Sequence, residues 1–203
     1  MGDISLPDTY IHIKPAIEAQ FHKCMERGRV LFFSAPCGFG KTVTARKLIR
    51  QTGKTYRSLS GDRVSFEELR ADEHWEILFV DDLQMMQEED DEQALCSLIR
   101  ENPDRRFVLA SRGLPLGCLM AFQYTGLMTV MNADRLLFDR ADIRKLFREW
   151  KVPVTDSELV GIARESIGHP LGVIITIRLM AEGRSFGTDL VADAFREVFR
   201  YFE

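Results

Sequence analysis

The sequence predicts an α/β fold: a parallel sheet sandwiched by helices, followed by a small all-helical subdomain. Three observations carry this. Short, almost wholly apolar runs stand at Val30–Phe33, Ile77–Val80 and Phe107–Ala110, the pattern of strands buried on both faces of a parallel sheet. Polar residues gather directly after these runs, at the carboxyl ends where open α/β sheets bind ligands. From Asp139 onward only helical patterns remain. That switch divides the chain into residues 1–138 and 139–203.

Composition narrows the class. The chain has 203 residues, is 45% hydrophobic and 29% charged, and carries a net charge of -4. A real core is affordable. No global basic field draws nucleic acid, so direct DNA contact is not expected. No run approaches the ~18 apolar residues of a membrane span. The four cysteines (Cys24, Cys37, Cys96, Cys118) form no C-x-x-C pair and read as free thiols of a reducing cytoplasm.

In chain order, Met1–Thr9 is a loose lead-in and Tyr10–Ile13 is apolar and extended. Pro15 opens a helix to about Arg27, with Ile17, Phe21, Cys24 and Met25 on one face. His12 and His22 read as surface histidines. After the first strand comes Ser34-Ala35-Pro36-Cys37-Gly38-Phe39-Gly40-Lys41-Thr42, and then a helical run from Val43. Strand, glycine loop, Lys-Thr and helix make a phosphate-binding loop. Backbone N–H groups of the loop and the helix N-terminus face phosphate oxygens. Lys41 supplies charge for the β- and γ-phosphates, and the Thr42 hydroxyl ligates Mg²⁺. Ala35 stands where glycine is usual. A chance turn at a helix start is the competing reading.

Gly53 stops the loop helix. A short strand follows at Thr55–Leu59, and a Ser65-to-Glu68 capping box opens a short helix. The run Ile77–Val80 ends in Asp81-Asp82. Asp81 is placed to hold Mg²⁺, and Asp82 to orient or deprotonate an attacking water. Residues 88–92 are acidic and read as a solvated loop leading into a helix from Gln93 to Arg100. The strand of residues 105–112 ends in Ser111-Arg112, where a cation can meet a γ-phosphate. A surface arginine is the plainer alternative. A short helix spans Cys118–Phe122, and Thr129–Met131 with Leu136–Phe138 gives the last strand signal. Helices are then expected at Arg140–Trp150, Thr155–Ile167, Pro170–Glu182 and Thr188–Phe202. Gly168-His169-Pro170-Leu171-Gly172 lies between two of them, and by spacing alone it is a helix–helix turn.

Together these motifs resemble the large ATP-binding LuxR-type (MalT-like) transcriptional regulators, which are STAND ATPases. The loop from Ser34 to Thr42, Leu78-Phe79-Val80-Asp81-Asp82-Leu83, Ala110-Ser111-Arg112-Gly113-Leu114-Pro115-Leu116 and Gly168-His169-Pro170-Leu171-Gly172 match in order. The resemblance implies a P-loop NTPase fold of the ASCE, AAA+-like kind, with the Arg112 strand between the loop strand and the Asp81 strand. It implies ATP or ADP with Mg²⁺ held by Pro36, Cys37, Gly38, Phe39, Gly40, Lys41, Thr42 and Val43. Arg112 would sense the γ-phosphate and Pro170 would lie against adenine; Ile11 lies in the segment before the first strand, which in many P-loop proteins touches the base, and either flanks adenine or only covers the sheet edge. Asp81 and Thr42 would serve the metal; Asp82, Lys41 and Arg112 would serve catalysis.

The implied function is a nucleotide switch of a signal-responsive regulator, in which slow ATP hydrolysis controls self-association. The chain ends at Glu203, after aromatic Phe195, Phe199, Tyr201 and Phe202, so further downstream regulator domains are expected. Asp82 is shorter than the glutamate of faster ATPases. That leaves a non-hydrolysing ADP-holding module as the alternative, with a P-loop small-molecule kinase behind it.

Overall fold

A computed structural model describes residues 11–27, 29–72, 74–86, 89–115 and 117–200. Among the described residues there are five strands: β1 (Val30–Ser34), β2 (Tyr56–Ser60), β3 (Ile77–Asp81), β4 (Arg106–Ser111) and β5 (Met128–Asn132). They form one sheet in the order β2-β3-β4-β1-β5, and every neighbouring pair is parallel. β4 therefore lies between β1 and β3, the order that the family resemblance implies.

The helices are α1 (Pro15–Arg27), α2 (Lys41–Gln51), α3 (Phe66–Ala71), α4 (Glu89–Glu101), α5 (Leu119–Tyr124), α6 (Ala133–Leu136), α7 (Arg140–Glu149), α8 (Asp156–Ser166), α9 (Pro170–Ala181) and α10 (Thr188–Arg200). Two compact units result. One comprises residues 15–36 and 41–135 and contains the sheet. The other comprises residues 1–14, 37–40 and 136–203 and contains α7 to α10.

In the sheet unit every residue of β1 and β3 is buried, because a parallel sheet needs both faces covered. Phe32, Leu78, Val80, Phe107 and Leu109 pack with Leu95, Leu98 and Ile99 of α4 and with Trp75. Trp75 donates its indole N–H to Leu69 O, and the Arg105 guanidinium lies 4.1 Å above its ring. β2, at the sheet edge, has no fully buried residue.

The helical unit has its own core, in which Ile143, Leu146 and Phe147 of α7 meet Leu159 and Ile162 of α8 and Val173 and Ile177 of α9. Capping boxes start α7 (Asp139 with Asp142) and α8 (Thr155 with Glu158). Each satisfies otherwise orphaned first-turn N–H groups.

Four sequence expectations give way. Leu136–Phe138 is no strand: a helical turn follows β5 directly, and Asp139 is committed to capping α7. α4 starts at Glu89, so acidic residues 89–92 form its first turn, where the helix dipole favours them. His12 is buried, 8% exposed, and donates to Asp142 Oδ1 at 2.8 Å. Cys96 and Cys118 are joined in a disulfide, while Cys24 and Cys37 are free. Tyr10, Gly28, Tyr201 and Phe202 lie outside the described residues. Among the described residues no helix is long and apolar enough to cross a membrane.

Candidate functional site

The sheet unit gathers polar side chains at the carboxyl ends of β1, β3 and β4. β1 ends at Ser34, and the Ala35 N–H donates to Ser111 O at 3.2 Å. That bond extends the β1–β4 pairing one residue past the strand. Ala35 is 2% exposed, so a small side chain suits this position. Pro36 is exposed and Cys37 is half-buried.

Gly38 and Gly40 have φ of 79° and 76°, a left-handed backbone that side chains resist. A Cβ on Gly38 would also lie 2.7 Å from His169 Cε1. Residues 37–40 pack within the helical unit. There Leu171 N–H donates to Gly38 O at 3.1 Å, and the Phe39 ring meets His169 edge-on at 4.8 Å.

Lys41 and Thr42 open α2, with Val43 half-buried behind them. Lys41 is buried, and its Nζ donates to Ala35 O at 2.6 Å and to Pro36 O at 3.0 Å. The ammonium thus turns back to the carbonyls that follow β1. The Thr42 side chain hydrogen-bonds to Asp81. Burial pushes the Asp81 carboxyl above its ordinary range, and the neighbouring Asp82 adds to this. The bond from Thr42, the Asp82 N–H and the charge of Arg46 work the other way. A hydroxyl and a buried carboxylate side by side are hard oxygen donors, the set that Mg²⁺ prefers.

Asp82 is left-handed, with φ of 48°, a conformation aspartate tolerates better than most residues. It is half-exposed, and Arg112 Nε stands 4.0 Å from its Oδ1. At that range, with both groups solvated, the pair is weak. Gln84, in a 3-10 turn at Leu83–Met85, makes the firmer link. Its Nε2 donates to Asp82 Oδ1 at 2.7 Å, while its Oε1 accepts from Arg112 N–H at 3.0 Å and from Ser111 Oγ at 3.3 Å. Sequence reasoning missed Gln84. Its only signal was an amide two residues beyond Asp82, and its meaning depends on β3 lying beside β4.

Of the sequence-selected residues, Lys41, Thr42, Asp81, Asp82 and Arg112 belong to the sheet unit. Ile11 and Pro170 belong to the helical unit. Pro170 is buried at the first position of α9. His169 caps that helix, its Nδ1 accepting from Gly172 N–H at 3.2 Å. Burial pushes the His169 imidazole below its ordinary value.

The chain matches no family model and no curated protein. Solved structures do match it. The Holliday junction branch migration motor RuvB of Thermotoga maritima aligns at a TM-score of 0.61 and 18% identity, over 91% of this chain and 69% of that one. A Walker-type ATPase of Pyrococcus abyssi aligns at 0.63 and 11%, over 94% and 72%.

The fold is that of the P-loop NTPases.

A DNA replication initiation factor is a third neighbour, at a TM-score of 0.57 and 13% identity, over 87% of this chain and 64% of that one. At such identities the likeness concerns the P-loop fold alone. The narrower resemblance to LuxR-type regulators rests on the four sequence motifs.

Proposed function

We propose that this chain is an ATP/ADP-Mg²⁺-binding switch domain that hydrolyses ATP slowly. The observation that supports the reading is the bond between Thr42 and Asp81, two metal-type oxygen donors in the unit that also holds the buried Lys41. Mg²⁺, when bound, neutralises charge on the nucleotide's phosphates. The loop N–H groups and Lys41 bind those phosphates. Asp82 orients a water and accepts its proton, and Arg112 faces the terminal phosphate from the neighbouring strand tip. Residues 1–138 form the nucleotide-binding domain in this reading, and 139–203 a helical subdomain in which Pro170 and Ile11 serve adenine.

The four motifs in order support a wider role, as the cytoplasmic nucleotide switch of a LuxR-type regulator that self-associates with ATP and acts through downstream domains. One observation favours the non-hydrolysing alternative. The Asp82 carboxylate is already engaged by Gln84, which competes with a catalytic water.

Calorimetric titration of the chain with ATP and ADP in Mg²⁺ tests this. Lys41→Ala should weaken both by at least about tenfold, the scale of lost charge-assisted phosphate bonds. Arg112→Ala should weaken ATP more than ADP. Unchanged affinity in Lys41→Ala would remove the site, and equal losses in Arg112→Ala would remove the γ-phosphate role. Phosphate release by the wild type separates slow hydrolysis from ADP holding.

A further inference from the structure

The Cys96–Cys118 disulfide has no part in the nucleotide reading, yet its surroundings are those of a reactive site. Cys96 is fully buried within α4, whereas Cys118 is half-buried in the turn before α5. The bridge opens onto a cavity of about 430 Å³, lined by Glu92, Ser97 and Arg100 of α4 and by Gly117 and Cys118. That volume is within the range of small-molecule sites. Its lining holds both charge signs. The Arg100 guanidinium is steadied 5.5 Å above the Phe122 ring. The Glu92 carboxylate accepts from the Leu119 N–H at 3.4 Å, and it presses so close that a Cβ on Gly117 would lie 2.5 Å from it.

We infer that this bridge is a thiol-exchange site for a small zwitterionic thiol that carries carboxylates. The chemistry follows from which sulfur can be reached. The incoming thiolate attacks Cys118 Sγ, the more open sulfur. A new S–S bond forms there as the Cys96–Cys118 bond breaks. Cys96 leaves as a thiolate and takes up a proton. A second molecule of thiol then attacks the mixed disulfide, leaves as the small disulfide and returns Cys118 as a thiol. Two electrons pass from two thiols to the protein. The carbonyl oxygen of Glu92, 3.3 Å from Cys118 Sγ, is an acceptor in place for the new S–H. Arg100 pairs with a carboxylate of the reagent and draws the anion in.

The bridge also has mechanical reach. It pins to α4 the turn that follows the tip of β4, and Arg112 and Gly113 lie within that tether. Once the bond is open, the Glu92–Leu119 bond remains at the turn, and Gln84 and Ser34 still hold the backbone of Arg112 and Gly113 at the strand tip. Exchange at Cys118 therefore leaves the segment that carries Arg112 held by those bonds without its covalent tether to α4, whether or not Arg112 meets a nucleotide.

The experiment uses the full chain, purified without reductant, with glutathione as the probe. Alkylation after denaturation should find two free thiols, Cys24 and Cys37; four would overturn the proposal. With reduced glutathione under native conditions, peptide mapping should place the adduct on Cys118. An adduct on Cys96, or opening no faster than global unfolding, would overturn it. Arg100→Ala should slow opening by glutathione about fivefold, an exposed ion pair's worth, and leave opening by 2-mercaptoethanol unchanged. Equal slowing of both removes recognition by the cavity. Amide exchange at Arg112, Gly113 and Leu114 should rise about tenfold on reduction, and unchanged exchange would make the bridge passive. Cys96→Ser, which has no bridge to break, should still take a glutathione adduct on Cys118 from oxidised glutathione, and failure to do so counts against the site.

Discussion

Asp81 in the sheet unit and Asp142 in the helical unit are equally buried, each 8% exposed, yet their surroundings act in opposite directions. Burial disfavours the charge of both. At Asp142 the protein outweighs that cost. His12 Nε2 donates at 2.8 Å, the Asp139 N–H donates at 3.0 Å, and Lys14 Nζ stands 3.4 Å away, so the carboxyl lies below its ordinary value. At Asp81 burial prevails and Asp82 adds a like charge, so the carboxyl lies above it. A buried charge is therefore no mark of a site by itself. What distinguishes Asp81 is that its own chain leaves it electrostatically costly, a cost that a bound cation would relieve.

The largest effect expected from this contrast is in the helical unit. Asp142→Ala removes the partner of His12, leaves Lys14 with the Leu137 carbonyl, and breaks the α7 capping box. Loss of one member of a buried pair costs about 3–5 kcal/mol, read as a fall in stability to urea at neutral pH. The sign with pH is fixed by the lowered carboxyl. Its contribution is present above the ordinary value of 3.8 and disappears as pH falls through the folded value. The gap between variant and wild type should therefore close below about pH 4. A gap that persists in acid would assign the loss to packing.

Asp81→Asn should do the reverse. The amide keeps an oxygen for the Thr42 hydroxyl and for the Asp82 N–H while removing the buried charge. Stability without ligand should hold or rise by up to about 1 kcal/mol, while Mg²⁺-dependent nucleotide affinity falls. A loss of stability like that of Asp142→Ala would show that Asp81 too is a structural charge, and the contrast would collapse.

These two aspartates also show what the sequence makes legible. Asp81 stands at the end of an apolar run downstream of a glycine loop, so local pattern alone selects it. The parallel sheet and the helices after Asp139 are legible for the same reason, since periodicity and caps are local. Asp142 pairs with a histidine 130 positions away, and nothing local marks either partner. By local pattern His12 therefore reads as a surface residue. Cys96 and Cys118 likewise meet only because the elements after β3 and β4 are neighbours, and sequence spacing does not reveal disulfide connectivity.

Gln84 supplies the finest test, because it touches the site through bonds that burial does not reinforce. It is exposed, so its loss should barely change stability. Its role is geometric. The left-handed backbone of Asp82 fixes where the side chain departs, and the 2.7 Å bond from Gln84 fixes how the carboxylate is turned. The same amide holds the backbone of Arg112 on the neighbouring strand tip. Gln84→Leu keeps the bulk and removes all three bonds, each worth about 1 kcal/mol at most in such a setting. If Asp82 acts on a water, turnover should fall about fivefold with little change in KM. If the Gln84 bond instead restrains Asp82 from that role, turnover should rise. Gln84→Glu sharpens the choice, since a second carboxylate against Asp82 turns the clamp into repulsion and should disturb the ATP-to-ADP affinity ratio more than Gln84→Leu does. Turnover and ratio unchanged in both variants would mean that the two strand tips are held by the sheet alone, and that Asp82 and Arg112 do not act as a unit.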